Sequence, residues 1–149
     1  MEKKQTPALD FIITEWEKDA VIDQFEIGTE LVRIPILHAK YNRYLTLHNL
    51  ASKRCGLELD RMRKLKWAYY SGKMDKDELT KYGWEPFPFV LKTDITAYLD
   101  GDTDIGNIKR KKSYHEEAAS FCVYVMKELA SRTYQLRSYI DWSKLQNGG

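Results

Sequence analysis

The stretch PILHAKYNRYLTLHNLASKRCGLELDRMRKLKWAYYS, residues 35–71, decides the architecture. From Leu37 onward its side chains fall into alternating steps of four and three: Leu37, Tyr41, Tyr44, His48, Ala51, Cys55, Glu58, Met62, Leu65 and Tyr69. Eight of these ten are apolar or aromatic, so the stripe can be buried along its whole length. The spacing averages 3.5 residues per turn, the seam of a helix packed lengthwise on another helix. Pro35 suits the first turn, where a missing N–H breaks no intrahelical bond. Gly56 interrupts the stripe, but one glycine costs only about 1 kcal/mol in a well-packed helix. The pattern predicts one helix from Pro35 to about Ser71, on the order of 55 Å long.

The last third of the chain repeats the logic. Ile105, Ile108, Lys112, His115, Ala119, Cys122, Met126, Leu129, Thr133, Leu136 and Ile140 keep the same spacing. A second stripe, Tyr114, Ala118, Phe121 and Val125, runs beside it. One partner helix cannot cover both faces, so either the N-terminal elements or another subunit must. Phe121, Cys122, Val125, Met126, Leu129, Leu136 and Ile140 are the candidates for subunit contact. The expected fold is mainly α: a long helical hairpin of coiled-coil-like helices, crossed by a short extended strap.

Shorter signals fill the remainder. Thr6 as N-cap and Pro7 at the first helical position predict a helix to about Lys18. Ala20 to Ile27 reads as a short strand or an irregular connection ended by Gly28. Gly72 stops the long helix; Asp75 with Glu78 opens a short one that Gly83 closes. Pro86 and Pro88 force WEPFPFV, residues 84–90, into the extended strap. Thr93 or Asp94 caps a helix through Leu99, Asp100-Gly101-Asp102 is a turn, and Asn147 to Gly149 is a frayed tail.

The composition excludes several classes. Hydrophobic residues at 43% against 31% charged indicate a folded chain rather than a disordered one. The longest near-apolar run, Ala118 to Met126, is less than half of a membrane span of roughly 20 residues, and the N-terminus has no signal-peptide core. Cys55 and Cys122 lie far apart and read as buried thiols of a reducing cytosol. No catalytic pattern survives. Ser71-Gly72-Lys73 lacks the earlier glycine and the following Ser or Thr of a phosphate-binding loop. His38 and His48 do not share a helix face at metal spacing, and His115 reads as a packing residue on the seam. Asp100, Asp102 and Asp104 lack the glycine and the glutamate of a calcium loop and read as a solvated acidic turn. The residues therefore indicate a non-enzyme without a metal or cofactor.

Charge is unevenly placed. Residues 31–73 carry 10 basic and 2 acidic side chains (net +8), whereas residues 1–30 and 74–104 each carry 3 basic and 8 acidic (net −5). A block of this sign is the footprint of a polyanion ligand. Its densest part, RMRKLKWAYYSGK at residues 61–73, interleaves five cations with three rings. Arg61, Arg63, Lys64, Lys66, Trp67, Tyr70 and Lys73 are the candidate DNA contacts: cations for phosphates, rings to stack on unpaired bases. Trp67 lies off the seam, and both a stacking role and burial in an aromatic cluster suit it. Lys109, Arg110, Lys111 and Lys112 form a second basic run. Positive charge opposes the dipole at a helix start, so either a phosphate ligand compensates or the helix begins earlier, at Asp102 or Asp104.

Five blocks carry a family resemblance: KDAVID at 18–23, KWAYYSGK at 66–73, GWEPF at 83–87, LKTD at 91–94, and RTYQLR at 132–137 running to Ile140-Asp141-Trp142. Together they resemble the UvsY family, the recombination mediators of T4-like bacteriophages, in the form found in phages of cyanobacteria. The resemblance implies a non-enzymatic protein that binds single-stranded DNA. Such a protein helps a RecA-like recombinase replace the single-strand-binding protein, in the cytoplasm of the infected bacterial host. It implies a ring-like homo-oligomer, a hexamer or heptamer, with no membrane partner. It divides the chain into a DNA-binding region, residues 1–104, and an oligomerisation helix, residues 105–149. It places the DNA-binding cations at Lys64 and Lys66, with Lys66 and Trp67 departing from the Arg and Leu of the T4 pattern. The rival reading is a helical scaffold protein that assembles but binds no DNA.

Overall fold

The computed structural model describes residues 6–88 and 90–148; the expectations placed on Phe89 and Gly149 lie outside the described residues. The fold is mainly α, with no strand among the described residues. Helices α1 (Leu9–Asp19), α2 (Ile27–Tyr70), α3 (Lys76–Tyr82), α4 (Ile95–Asp100) and α5 (Thr103–Gln146) follow in order, with a 3-10 turn, Lys92–Asp94, before α4. The chain forms two compact units: Met1–Ala51 with His115–Gly149, and Ser52–Tyr114. The long helices α2 and α5 each contribute to both.

In the first unit, Ile12 of α1, Leu37 and Tyr41 of α2, and Cys122, Val125 and Leu129 of α5 form the core. Trp16, Tyr44, Leu45, Phe121 and Met126 pack around it. Helix α1 therefore helps cover the apolar middle of α5. For Cys122, Val125, Leu129 and Leu136 this corrects the expected subunit contact to one within the chain. Cys122, Val125 and Leu129 are fully buried and Leu136 is nearly so, while Phe121, Met126 and Ile140 are half-buried. Burial also pushes the Cys122 thiol up to about 11. Both cysteines are buried and free, as their isolation in the sequence suggested.

Polar side chains fasten the same unit. Asp19, at the end of α1, accepts from Lys40 (2.7 Å) and Tyr41 (2.8 Å) on one carboxylate oxygen and from Arg33 (2.9 Å) on the other. Its backbone carbonyl accepts from Arg132 of α5 at 3.1 Å. Burial opposes the Asp19 charge, but Lys40, Tyr41 and Arg33 outweigh it and hold the carboxyl below its ordinary value. These contacts also explain why α2 starts at Ile27 rather than Pro35. Glu30 is buried, it pairs with Arg33 at 3.5 Å, and Arg33 reaches Asp19. That anchoring holds two extra helical turns despite Pro35, whose missing N–H costs about 3 kcal/mol inside a helix. Gly28 thus lies within α2 and does not end the preceding segment. Helix α1 begins at Leu9 behind Ala8, without a side-chain cap, so Thr6 and Pro7 precede it. The Pro7 carbonyl accepts from His48 Nε2–H at 2.8 Å. The His48 Nδ1 lies 3.0 Å from His115 Nδ1, so the two rings share a hydrogen bond across α2 and α5.

In the second unit, Ile95, Leu99 and Ile105 are buried, with Leu59, Met62 and Tyr70 packed against them. The turn chemistry follows the sequence. Asp75 accepts from the Glu78 N–H at 2.8 Å, and Gly72 and Gly83 take the left-handed conformation at φ 74° and 69°. Trp84 to Pro88 has no regular secondary structure and is held on α2 by rings. Trp84 and Phe87 meet Tyr69 at 5.1 and 5.5 Å, and Tyr69 donates to the Glu85 carbonyl at 2.7 Å.

Two substitutions test this packing by urea unfolding. Leu129→Ala opens a cavity in a fully buried position and is expected to cost about 2–5 kcal/mol. Gly56→Ala would meet only Lys112 Cε at an ordinary 3.8 Å, so it is expected to stabilise α2 by about 0.5–1 kcal/mol.

Candidate nucleic-acid interface

Between Ser52 and Tyr70, helix α2 has two unlike sides. Cys55, Leu59, Met62, Lys66 and Tyr70 turn toward the unit's interior. Lys53, Leu57, Asp60, Lys64 and Trp67 recur at steps of four and three on the outer side, and all are exposed. Arg54 and Arg61 lie seven residues apart along one edge, and Arg63 lies one turn before Trp67. Five exposed cations, Lys53, Arg54, Arg61, Arg63 and Lys64, thus face solvent with two exposed carboxylates, Glu58 and Asp60. Trp67 is 42% exposed, which resolves its two readings in favour of an open ring. Lys73 is exposed beyond the helix end.

Lys66 and Tyr70 depart from this pattern, and the expectation that they present themselves to phosphate and base is corrected. The Lys66 side chain is only 7% exposed. Its Nζ lies 3.1 Å from Asp102 Oδ2, 2.8 Å from Asp104 Oδ2 and 4.1 Å from the centre of a Trp84 ring. Tyr70 donates to the same Asp102 Oδ2 at 2.5 Å, while Asp102 Oδ1 accepts from the Ile105 N–H at 3.0 Å and so caps α5. Burial opposes the Lys66 charge, but Asp104 and Asp102 outweigh it and hold the ammonium above its ordinary value. Burial likewise opposes the Asp102 charge, but Tyr70, the Ile105 N–H and Lys66 hold the carboxyl below its ordinary value. The reason is position. Residues 66 and 70 follow Leu59 and Met62 on the inner side, where a charge persists only if paired. The same contacts correct the solvated acidic turn: Asp102 is buried and Asp104 is half-exposed and ion-paired.

The second basic run lies inside α5, because that helix starts at Thr103 behind the Asp102 cap, between the two starts the charge pattern suggested. Lys109, Arg110 and Lys111 are exposed and Lys112 is half-buried; Arg110 donates to Asn107 Oδ1 at 2.9 Å. Among the described residues no cluster of three or more metal-ligating side chains exists, and no helix is long and apolar enough to cross a membrane. Lys53, Arg54 and Leu57 belong to the outer face but were not singled out from the sequence. The signal was helical spacing: Lys53 and Leu57 share a stripe with Lys64 and Trp67, and Arg54 shares an edge with Arg61.

Lys66→Met leaves a buried carboxylate without its ammonium and is expected to destabilise the protein by about 3–5 kcal/mol. The sign of its pH dependence follows from the two shifts. The depressed Asp102 stabilises above its ordinary pKa of about 4, and this contribution fades as pH falls through the folded value. The raised Lys66 stabilises below about pH 10.4, and that contribution fades as pH rises through its folded value. Thermal melts across pH should show both a smaller alkaline loss and a smaller acid loss in Lys66→Met than in the wild type, because the mutant lacks the raised ammonium and its Asp102 is less depressed.

Comparison with known proteins supplies the context for this surface. The family model described as "Recombination, repair and ssDNA binding protein UvsY" matches residues 15–149. Two crystal structures of the bacteriophage T4 recombination mediator protein UvsY share the fold at 20% identity, with TM-scores of 0.82 and 0.80. They cover 95% and 91% of this chain, and 98% of each of those chains is matched. No curated protein sequence matches the chain.

Proposed function

The chain belongs to the UvsY family, and on that premise we propose that it is a recombination mediator whose α2 outer face binds single-stranded DNA. The observation that carries this reading is the exposed line of Arg61, Arg63, Lys64 and Trp67 on one helix, with Lys53 and Arg54 two to three turns earlier. Cations on such a line neutralise successive phosphates and release counterions, while an open indole stacks on a base without reading its identity. Lys109, Arg110 and Lys111 add a second cationic segment. Lys66 serves here as a positioning residue that holds the strap and the start of α5 against α2. DNA held this way becomes accessible to a RecA-like recombinase in place of the single-strand-binding protein, inside the infected host.

The functional halves are residues 1–104 for DNA and 105–149 for assembly into a ring-like hexamer or heptamer. With the inner face of α5 occupied, subunit contact falls to its exposed C-terminal side chains, Tyr134, Trp142 and Leu145. A ring turns modest patches into a strong site, because linked contacts on one strand can gain about 10²–10⁴-fold in avidity.

Salt-titrated binding to single-stranded and duplex oligonucleotides, with mass measured on the same sample, tests the proposal. The wild type should prefer the single strand as a defined oligomer. Lys64→Ala should lower the slope of log K against log salt by about 0.7 and leave the mass unchanged. Lys66→Met should leave that slope unchanged. An oligomer without salt-sensitive DNA affinity would sink the mediator reading in favour of a helical scaffold.

A further inference from the structure

We propose that Tyr98 is a stacking platform for an unpaired nucleobase, continuing the exposed line of Arg63 and Trp67 from α2 onto α4. The inference rests on the reading of α2 as a single-stranded-DNA surface and adds a contact from a different helix. Tyr98 belongs to the six-residue helix α4, whose Ile95 and Leu99 are buried in the unit's core. That anchoring fixes the backbone and leaves the Tyr98 side chain 45% exposed. One face of its ring lies on Tyr70, with centroids 5.6 Å apart and planes inclined by 29°. Phe87 meets it edge-on at 5.2 Å and 76°. A ring stacked on one face and braced at its edge keeps its other face open to a flat aromatic ligand, which would extend the stack.

The support beneath is rigid. Tyr70 is tied through its hydroxyl to Asp102, and Asp102 is held by Lys66 and by the Ile105 N–H. Tyr70 is the last residue of α2, three residues after Trp67, and is only half-buried at the edge of the inner side, so Tyr98, stacked on it, stands beside the end of the outer stripe. The other parallel pair in this cluster, Tyr82 on Trp84 at 4.9 Å and 25°, is less open, because Lys81 Nζ sits 5.5 Å from the Tyr82 ring centre.

Charge determines what the platform accepts. Asp94 and Asp100 flank Tyr98 and are exposed, so a phosphate close to the ring is disfavoured. Arg63 and Lys64 take the backbone instead, and the ring takes the base. A base reaches the ring only when unstacked, so the platform favours single strands over duplex.

The test compares the full-length wild type with Tyr98→Leu, Tyr98→Gln and Tyr98→Trp. The probes are a labelled oligothymidylate and a strand of the same length bearing abasic sugars, both titrated with salt. Circular dichroism and thermal melts verify the fold of each variant. Tyr98→Leu and Tyr98→Gln should lose about 5- to 30-fold in oligothymidylate affinity with an unchanged salt slope. Tyr98→Trp should retain wild-type affinity, and all four proteins should bind the abasic strand alike. Oligothymidylate affinities within twofold of a wild type that does bind would overturn the role of Tyr98 alone. Equal losses on both probes would also overturn it, since a platform acts on bases. Absence of salt-sensitive binding by the wild type would instead remove the underlying reading of α2.

Discussion

Asp19 receives Lys40 and Tyr41 on a single carboxylate oxygen, and Asp102 receives Lys66 and Tyr70 in the same way. In both cases the donors come from α2 and the aspartate stands at a helix end: the last residue of α1 or the cap of α5. A buried carboxylate is tolerable only when such partners replace its water, so each aspartate dictates where its element must lie along α2. Apolar seams alone specify that helices pack. They do not specify where along the seam a short element stops. The two polar nodes supply that register, one in each compact unit.

This arrangement divides the cations of α2 into two kinds. Lys40 and Lys66 are internal fasteners with raised pKa values, and their charges are neutralised inside the protein. Arg43, Lys53, Arg54, Arg61, Arg63 and Lys64 are exposed and retain the hydration and counterions whose release drives binding to a polyanion. A count of basic residues over the segment therefore overstates the charge available to DNA. The aromatic residues divide similarly. Tyr69, Tyr70, Trp84 and Phe87 pack together at centroid distances of 4.9–5.5 Å, whereas Trp67 and Tyr98 stand at the margin.

In α5 the same competition between inside and outside decides which apolar residues remain for partners. Its middle is apolar on two faces because α1 and α2 both pack there, and Cys122, Val125 and Leu129 are consumed in that core. Tyr134, Trp142 and Leu145 stay exposed at 71%, 57% and 78%. Exposure of such large side chains toward the end of a long helix is where further contact has apolar area left to bury.

Helical class, the two long helices, the short helix from Asp75 to Gly83 and the unstructured strap were all legible in the residues. Each follows from a local rule: four–three spacing, a side-chain cap, a left-handed glycine, or a proline's fixed φ. The outer cations Arg61, Arg63 and Lys64 were legible for the same reason, since helical periodicity places them off the seam. What the sequence could not show was which charged residue on the inner side finds a partner. Lys66 reads like its neighbours until Asp102 and Asp104, more than thirty residues away, are brought to it. The start of α2 at Ile27, the His48–His115 contact and the closure of α1 over α5 have the same origin. Local backbone preference is written residue by residue, whereas desolvation and pairing of a buried charge depend on groups that only the tertiary structure brings within a few ångströms.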